Sequence, residues 1–142
     1  MDIDLVLVPV DGSDQSERAA DYAIAVADRY DADLHVLFVL DERLRRDIDA
    51  GRVDPEAIAE DHRVFTRHIR ESFDREEALG TSTATAFSEG RLLQTPGSVI
   101  LDVAEDIGAE FIVVPRERGT EEAIGRAALY VLEYASQPVL SV

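Results

Sequence analysis

The side chains able to do chemistry in this chain are few in kind. Its 142 residues include thirty acidic, fourteen basic and three histidine residues and no cysteine, and every basic residue is an arginine. Without lysine there is no Schiff-base amine, no GK[ST] phosphate loop and no lysine general base. Without cysteine there is no disulfide, no thiolate nucleophile and no cysteine-ligated metal. His62 and His68 miss the i, i+4 spacing of a helical metal pair, and His35 stands in an apolar run with no acidic relay beside it, so no metal site is expected. Ser13 and Ser98 lie outside any G-x-S-x-G elbow, and an aspartate receiving phosphate would lack its lysine partner. No catalytic residue is expected. What remains is carboxylate and guanidinium chemistry: Asp11 before Gly12 and Ser13, and the cluster Arg43, Arg45 and Arg46, which could grip an anion but reads first as a solvated charged loop.

The formal charge of -16 opposes binding to phosphate backbones and to anionic lipid, so neither nucleic acid nor a membrane surface is an expected partner. Apolar residues make up 46%, too many for a disordered acidic tail, so the charge sits on a folded body. Such a body repels itself in dilute buffer, whereas at ~1 M salt the screening length falls to about 3 Å. The acidic, lysine-free surface therefore suggests a halophile's protein. The acidic start Met1-Asp2-Ile3-Asp4 lacks the basic and apolar regions of a signal peptide, and no apolar run approaches the ~20 residues of a membrane span. A cytoplasmic protein is the expectation.

The elements that must position these groups follow from short apolar runs alternating with helical patterns. Leu5 to Val10, Leu34 to Leu40, Thr81 to Phe87, Phe111 to Val114 and Val139 to Val142 read as strands, the third alternating and more peripheral. Between them, helices are expected from about Ser16 to Tyr30, with an Asp14/Glu17 capping box, from about Pro55 to Glu77, from about Gly97 to Ile107, and around Ile124 to Ala135. Glu42 to Asp54 and Gly90 to Gly97 read as irregular connections. One α/β domain over residues 1–142 is expected, a doubly wound five-stranded parallel sheet with helices on both faces. Ligands of such sheets bind beyond the carboxyl ends of the strands, which directs attention to Pro9–Ser13, Val39–Arg46 and Pro115–Thr120.

The opening VLVPVDGSDQSERAADYAIAVA, the second strand's ending VLDE, the block LDVAEDIGAEFIVV and the close VLEYASQPVLSV resemble the universal stress protein family, in that order and over essentially the whole chain. The resemblance implies a flavodoxin-like or adenine nucleotide alpha hydrolase-like fold, a homodimer paired through the last strand, and ATP binding in some members. In those members an Asp after the first strand, a Val in the second and a glycine-rich loop after the fourth hold the nucleotide. Asp11, preceded by Pro9, and Val39 match the first two. Asp11 could orient a ribose or magnesium or serve as a turn residue. Ser13 could touch a phosphate or cap a helix, and Val39 could border an adenine or fill the core.

The third element departs from the family pattern. Its matching positions are Pro115, Arg118 and, three residues early, Gly125 followed by Arg126. The family's glycines let backbone amides reach phosphate oxygens, but Pro115 has no N–H and Arg118 adds bulk. Glu121 and Glu122, near the expected start of the fourth helix, already answer its dipole and repel a triphosphate, while Arg116, Arg118 and Arg126 could offset this. The expectation is a non-enzymatic stress-response protein, a divergent family member whose ATP binding is weak or lost. The alternative is a sensor that binds ATP with magnesium or another adenine nucleotide. No cofactor is expected under the first reading. Val139, Leu140, Ser141 and Val142 form an apolar edge strand, an aggregation hazard that pairing with a second copy about a two-fold axis would remove. A protein partner is expected but not identified.

Overall fold

In the computed structural model, which describes residues 2–40, 42–85, 95–116 and 123–142, the chain order is β1 (Leu5–Val10), α1 (Asp14–Tyr30), β2 (Asp33–Leu40), α2 (Glu42–Asp49), α3 (Pro55–Ser72), β3 (Leu79–Thr85), α4 (Pro96–Ile107), β4 (Phe111–Val114), α5 (Ala123–Tyr134) and β5 (Val139–Ser141). A 3-10 turn over Glu76–Ala78 precedes β3. The five strands form one sheet in the order β3-β2-β1-β4-β5, every neighbouring pair parallel. The expected doubly wound architecture is therefore what forms. Among the described residues no helix is long and apolar enough to cross a membrane.

The period-two alternation of the strands divides the apolar residues between two cores. Val6, Val8 and Val10 of β1 join α1 and α3 on one face, whereas Leu7, Leu37 and Val39 join α4 and α5 on the other. On α1, Ala19, Ala20, Ala23 and Ala27 are all buried, and their small side chains let the helix lie close over the sheet. Its cap is Ser13: the Ser13 hydroxyl accepts from the Ser16 N–H at 3.2 Å, and the buried Ser16 hydroxyl donates back to the Ser13 carbonyl at 2.9 Å. The expected Asp14/Glu17 capping box does not form: the N-cap with extended backbone is Ser13, and Asp14 is already the first residue of the helix.

Two connections differ from the reading of the sequence. Glu42 to Asp49 is a helix and not a loop; its signals were the Leu44/Ile48 pair and the Arg45–Asp49 ion pair, both at i, i+4. In the second connection Pro96 and Gly97 already belong to α4, which Thr95 caps by accepting from the Ser98 N–H at 3.2 Å. The expected helix from Pro55 stops at Ser72, with Phe73 as its C-cap. Strand β3 runs two residues earlier than expected, and Ala86 and Phe87 lie outside the described residues.

Pro9 stands in a central strand, where a missing N–H would normally break a ladder. The recorded pairing of β1 with β4 covers Val6 and Leu7, so that ladder ends before Pro9, whose missing N–H cannot extend it. The junction of β1 and β4 is the switch point between the two halves of the sheet.

Candidate functional site

Beyond the carboxyl ends of β1 and β2 lies a cleft of about 540 Å³, within the size range of small-molecule sites. The β1–α1 turn supplies Asp11, Gly12 and Glu17, and the end of β2 supplies Val39 and Leu40. Leu44 of α2 and Ile58, Asp61, His62, Phe65 and His68 of α3 close the opposite side. The helix that the sequence concealed therefore forms part of the wall, through Leu44.

The turn at its base is held by local hydrogen bonds. Asp11 Oδ1 accepts from the Ser13 N–H at 3.0 Å, and the Asp11 N–H donates to Ser16 Oγ at 3.4 Å. Gly12 between them has φ 87, and a Cβ there would meet no atom within 4 Å, so glycine is required by backbone conformation and not by space. Asp11 is thus both a turn residue and a lining residue. Ser13 is occupied as a helix cap and is not among the lining residues. Val39 is 3% exposed and packs in the α4/α5 core, but also borders the cleft. Pro9 is buried beneath the turn, in register with Leu37.

The charged lining carboxylates are Asp11, Glu17 and Asp61, and no arginine joins them among the described residues. His62 lies stacked on Phe38, ring centroids 4.0 Å apart. Burial holds its imidazole below the ordinary range, and neighbouring Asp61 pulls the other way. His35 is also held low by burial and shares a 2.8 Å hydrogen bond with the Ser82 hydroxyl. Among the described residues no three histidine or acidic side chains converge as a metal site. The half-buried His62 ring and apolar walls suit a flat aromatic ligand; the carboxylates suit hydroxyl groups and oppose polyanions.

The loop after β4 is described only at its start. Pro115 is buried, and the Arg116 N–H donates to the Val142 carbonyl at 2.7 Å, so that amide is consumed by the chain's last residue. Arg118, Glu121 and Glu122 lie outside the described residues. Gly125 and Arg126 fall within the first turn of α5, and their side chains also lie outside the described set. Sequence reading missed Ile58, Asp61, His62, Phe65 and His68 as cleft residues, and reached Leu44 only as part of the Val39–Arg46 segment. The available signal was the spacing of 58, 61, 62 and 65 along one side of a helix, but that spacing alone could not say which strand end the helix faces.

A model of the universal stress protein family matches residues 3–142. Universal stress protein MJ0531 of Methanocaldococcus jannaschii is 28% identical over 143 aligned positions, covering 96% of this chain and 80% of the relative. Among solved structures, universal stress protein UspA from Lactobacillus plantarum superposes with a TM-score of 0.72 at 25% identity, over 100% of this chain and 99% of the other. A universal stress protein in complex with cAMP superposes with a TM-score of 0.71 at 19% identity, over 100% and 98% of the two chains.

Proposed function

The chain belongs to the universal stress protein family, and on that premise we propose that it acts as a non-enzymatic, cytoplasmic, homodimeric stress-response protein whose cleft takes the adenosine part of a nucleotide and disfavours a triphosphate. One observation carries the ligand reading: Asp11, Val39 and Leu40 share a cleft whose other charged walls are Glu17 and Asp61. Apolar side chains and the His62 ring would hold a base there, and Asp11 would accept from ribose hydroxyls. Three carboxylates around a triphosphate would meet like charge at short range, where screening by salt is weakest. Magnesium would lower that repulsion, which keeps magnesium-loaded ATP as the weaker ligand instead of a non-ligand. The cAMP bound by one structural neighbour is consistent with a family cleft that accepts a single phosphate.

Calorimetric titration of adenosine, AMP and ATP, with and without magnesium, in molar KCl tests this reading. Adenosine and AMP should bind more tightly than ATP, and Asp11→Ala should weaken both by about tenfold, the size of one charge-assisted hydrogen bond. ATP binding more tightly than AMP without magnesium would overturn it, as would the absence of binding by all three.

A further inference from the structure

A second groove, of about 470 Å³, lies between α3 and the edge strand β3. Arg63, Arg67 and Arg70 run along its helical side, and Thr81 and Thr83 of β3 line the other. No carboxylate lines it among the described residues, although the chain carries a charge of -16. Arg63 is held by Glu56 and Glu60. Arg67 and Arg70 have no ion-pair partner among the described residues.

The strand beside them is unusually open to pairing. From Leu34↔Leu79 to Leu40↔Thr85, β3 pairs with β2 without a bulge, and among the described residues no strand lies on its other side. Its sequence, LGTSTAT, has no proline and no charge, the devices by which edges are usually protected. Thr81 and Thr83 are exposed. Such an edge offers a row of main-chain groups to an added strand.

We propose that the free edge of β3 and the Arg67/Arg70 pair together form a docking site for an extended acidic segment of another protein. A strand laid against β3 satisfies the edge amides and carbonyls and directs every second side chain to the α3 face. Alternate side chains are about 6.8 Å apart along such a strand, and Arg67 and Arg70 are about 4.5 Å apart along the helix axis. The long arginine stems span that difference, so acidic residues at i and i+2 each meet a guanidinium. Charge complementarity selects this occupant. Two β3 edges paired antiparallel about an axis normal to the sheet would set two arginine rows side by side. A small anion would use the arginines but leave the edge unpaired. The chain's net negative charge acts against an acidic partner only at long range: at ~0.15 M salt, charges beyond about 8 Å are largely screened, while contact-range guanidinium–carboxylate bonds persist.

The test is fluorescence anisotropy of a labelled peptide of about eight alternating valine and glutamate residues, at the lowest KCl concentration at which circular dichroism shows the protein folded. Saturable binding is expected. It should weaken by about tenfold or more when glutamine replaces glutamate in the peptide, and equally in the Arg67→Glu, Arg70→Glu double variant, as loss of a charge-assisted contact requires. Proline at alternate positions of the acidic peptide should abolish it. The adenosine titration of the double variant should not change, which separates this site from the cleft at Asp11. The proposal is overturned if the proline peptide binds as well as the parent, if glutamine and glutamate peptides bind alike, or if no peptide binds. It is equally overturned if only tripolyphosphate binds with the same arginine dependence, or if the arginines instead govern association of the chain with itself.

Discussion

His62 lies face to face with Phe38, ring centroids 4.0 Å apart and planes 16° from parallel, and the pair belongs to the walls of two cavities of opposite charge. On one side stand Asp11, Glu17 and Asp61; on the other, Arg63, Arg67 and Arg70. A single helix divides them. At about 100° per residue, Phe65 and Ile69 point into the core, Asp61 and His68 fall on one flank, Arg63 and Arg70 lean to the other, and Arg67 stands opposite the core, its long side chain still lining the arginine groove.

Because burial lowers the folded-state pKa of both His35 and His62, the unfolded chain takes up protons first as pH falls. Their contribution is therefore complete above the ordinary histidine value of 6.5 and is lost as pH drops from there toward the lower folded values. Urea midpoints measured from about pH 7.5 to about pH 5.5 should fall in the native chain. His62→Phe, which keeps a ring against Phe38, and His35→Gln should each flatten that slope. Parallel slopes in all three proteins would show that neither imidazole is responsible.

A Cβ on Gly97 would lie 2.6 Å from Cβ of Tyr130, where α4 packs against α5. Rotation of the tyrosine cannot relieve a clash with its own Cβ, so the helices must move apart. Gly97→Ala should therefore destabilise by roughly 1–3 kcal/mol, a cost of overpacking that exceeds the helix-propensity gain in the first turn. Adding Tyr130→Ala should rescue it only in part, because that change removes the contacts with Cδ1 and Cγ at 2.7 and 2.8 Å but keeps the Cβ. Equilibrium urea denaturation of the single and double variants decides the matter.

The last strand makes the proposed dimer testable by one substitution. The Val142 N–H donates to the Val114 carbonyl at 3.0 Å and the Val142 carbonyl accepts from the Arg116 N–H at 2.7 Å. Both groups of Val142 thus face β4, and by alternation those of Ser141 face outward. Sedimentation in molar KCl should give twice the 15.7 kDa chain mass, and Ser141→Pro should give a folded monomer by removing an outward amide only. A monomeric native chain rules out the proposed pairing.

Raising KCl from about 0.1 M to about 1 M shortens the screening length from about 10 Å to about 3 Å. With a charge of -16 on a single small fold, the thermal midpoint should rise over that range. A flat or falling midpoint would remove the electrostatic basis for a halophilic origin.

The sequence by itself determined the class of fold, because alternation of apolar runs and helical stripes is a local property: LVLVPV and FIVV become strands with the bounds they suggest. Residue types alone also excluded lysine and cysteine chemistry. Local signals offered a cap at Ser13 and a turn at Asp11 as one of two roles for each, and put the capping box one residue late at Asp14, although every partner lies within five residues. Glu42–Asp49 was misread because its apolar residues are only two, and tertiary packing, not burial strength along the segment, gives Leu44 its place on the cleft. The stacking of His62 on Phe38, the gathering of Asp11 with Asp61, and the arginine row opposite Thr81 and Thr83 were decided only by tertiary structure. Each joins residues from different elements, and which residues meet depends on the sheet order and on how α3 is rotated over β2 and β3, quantities that no single stretch of chain encodes.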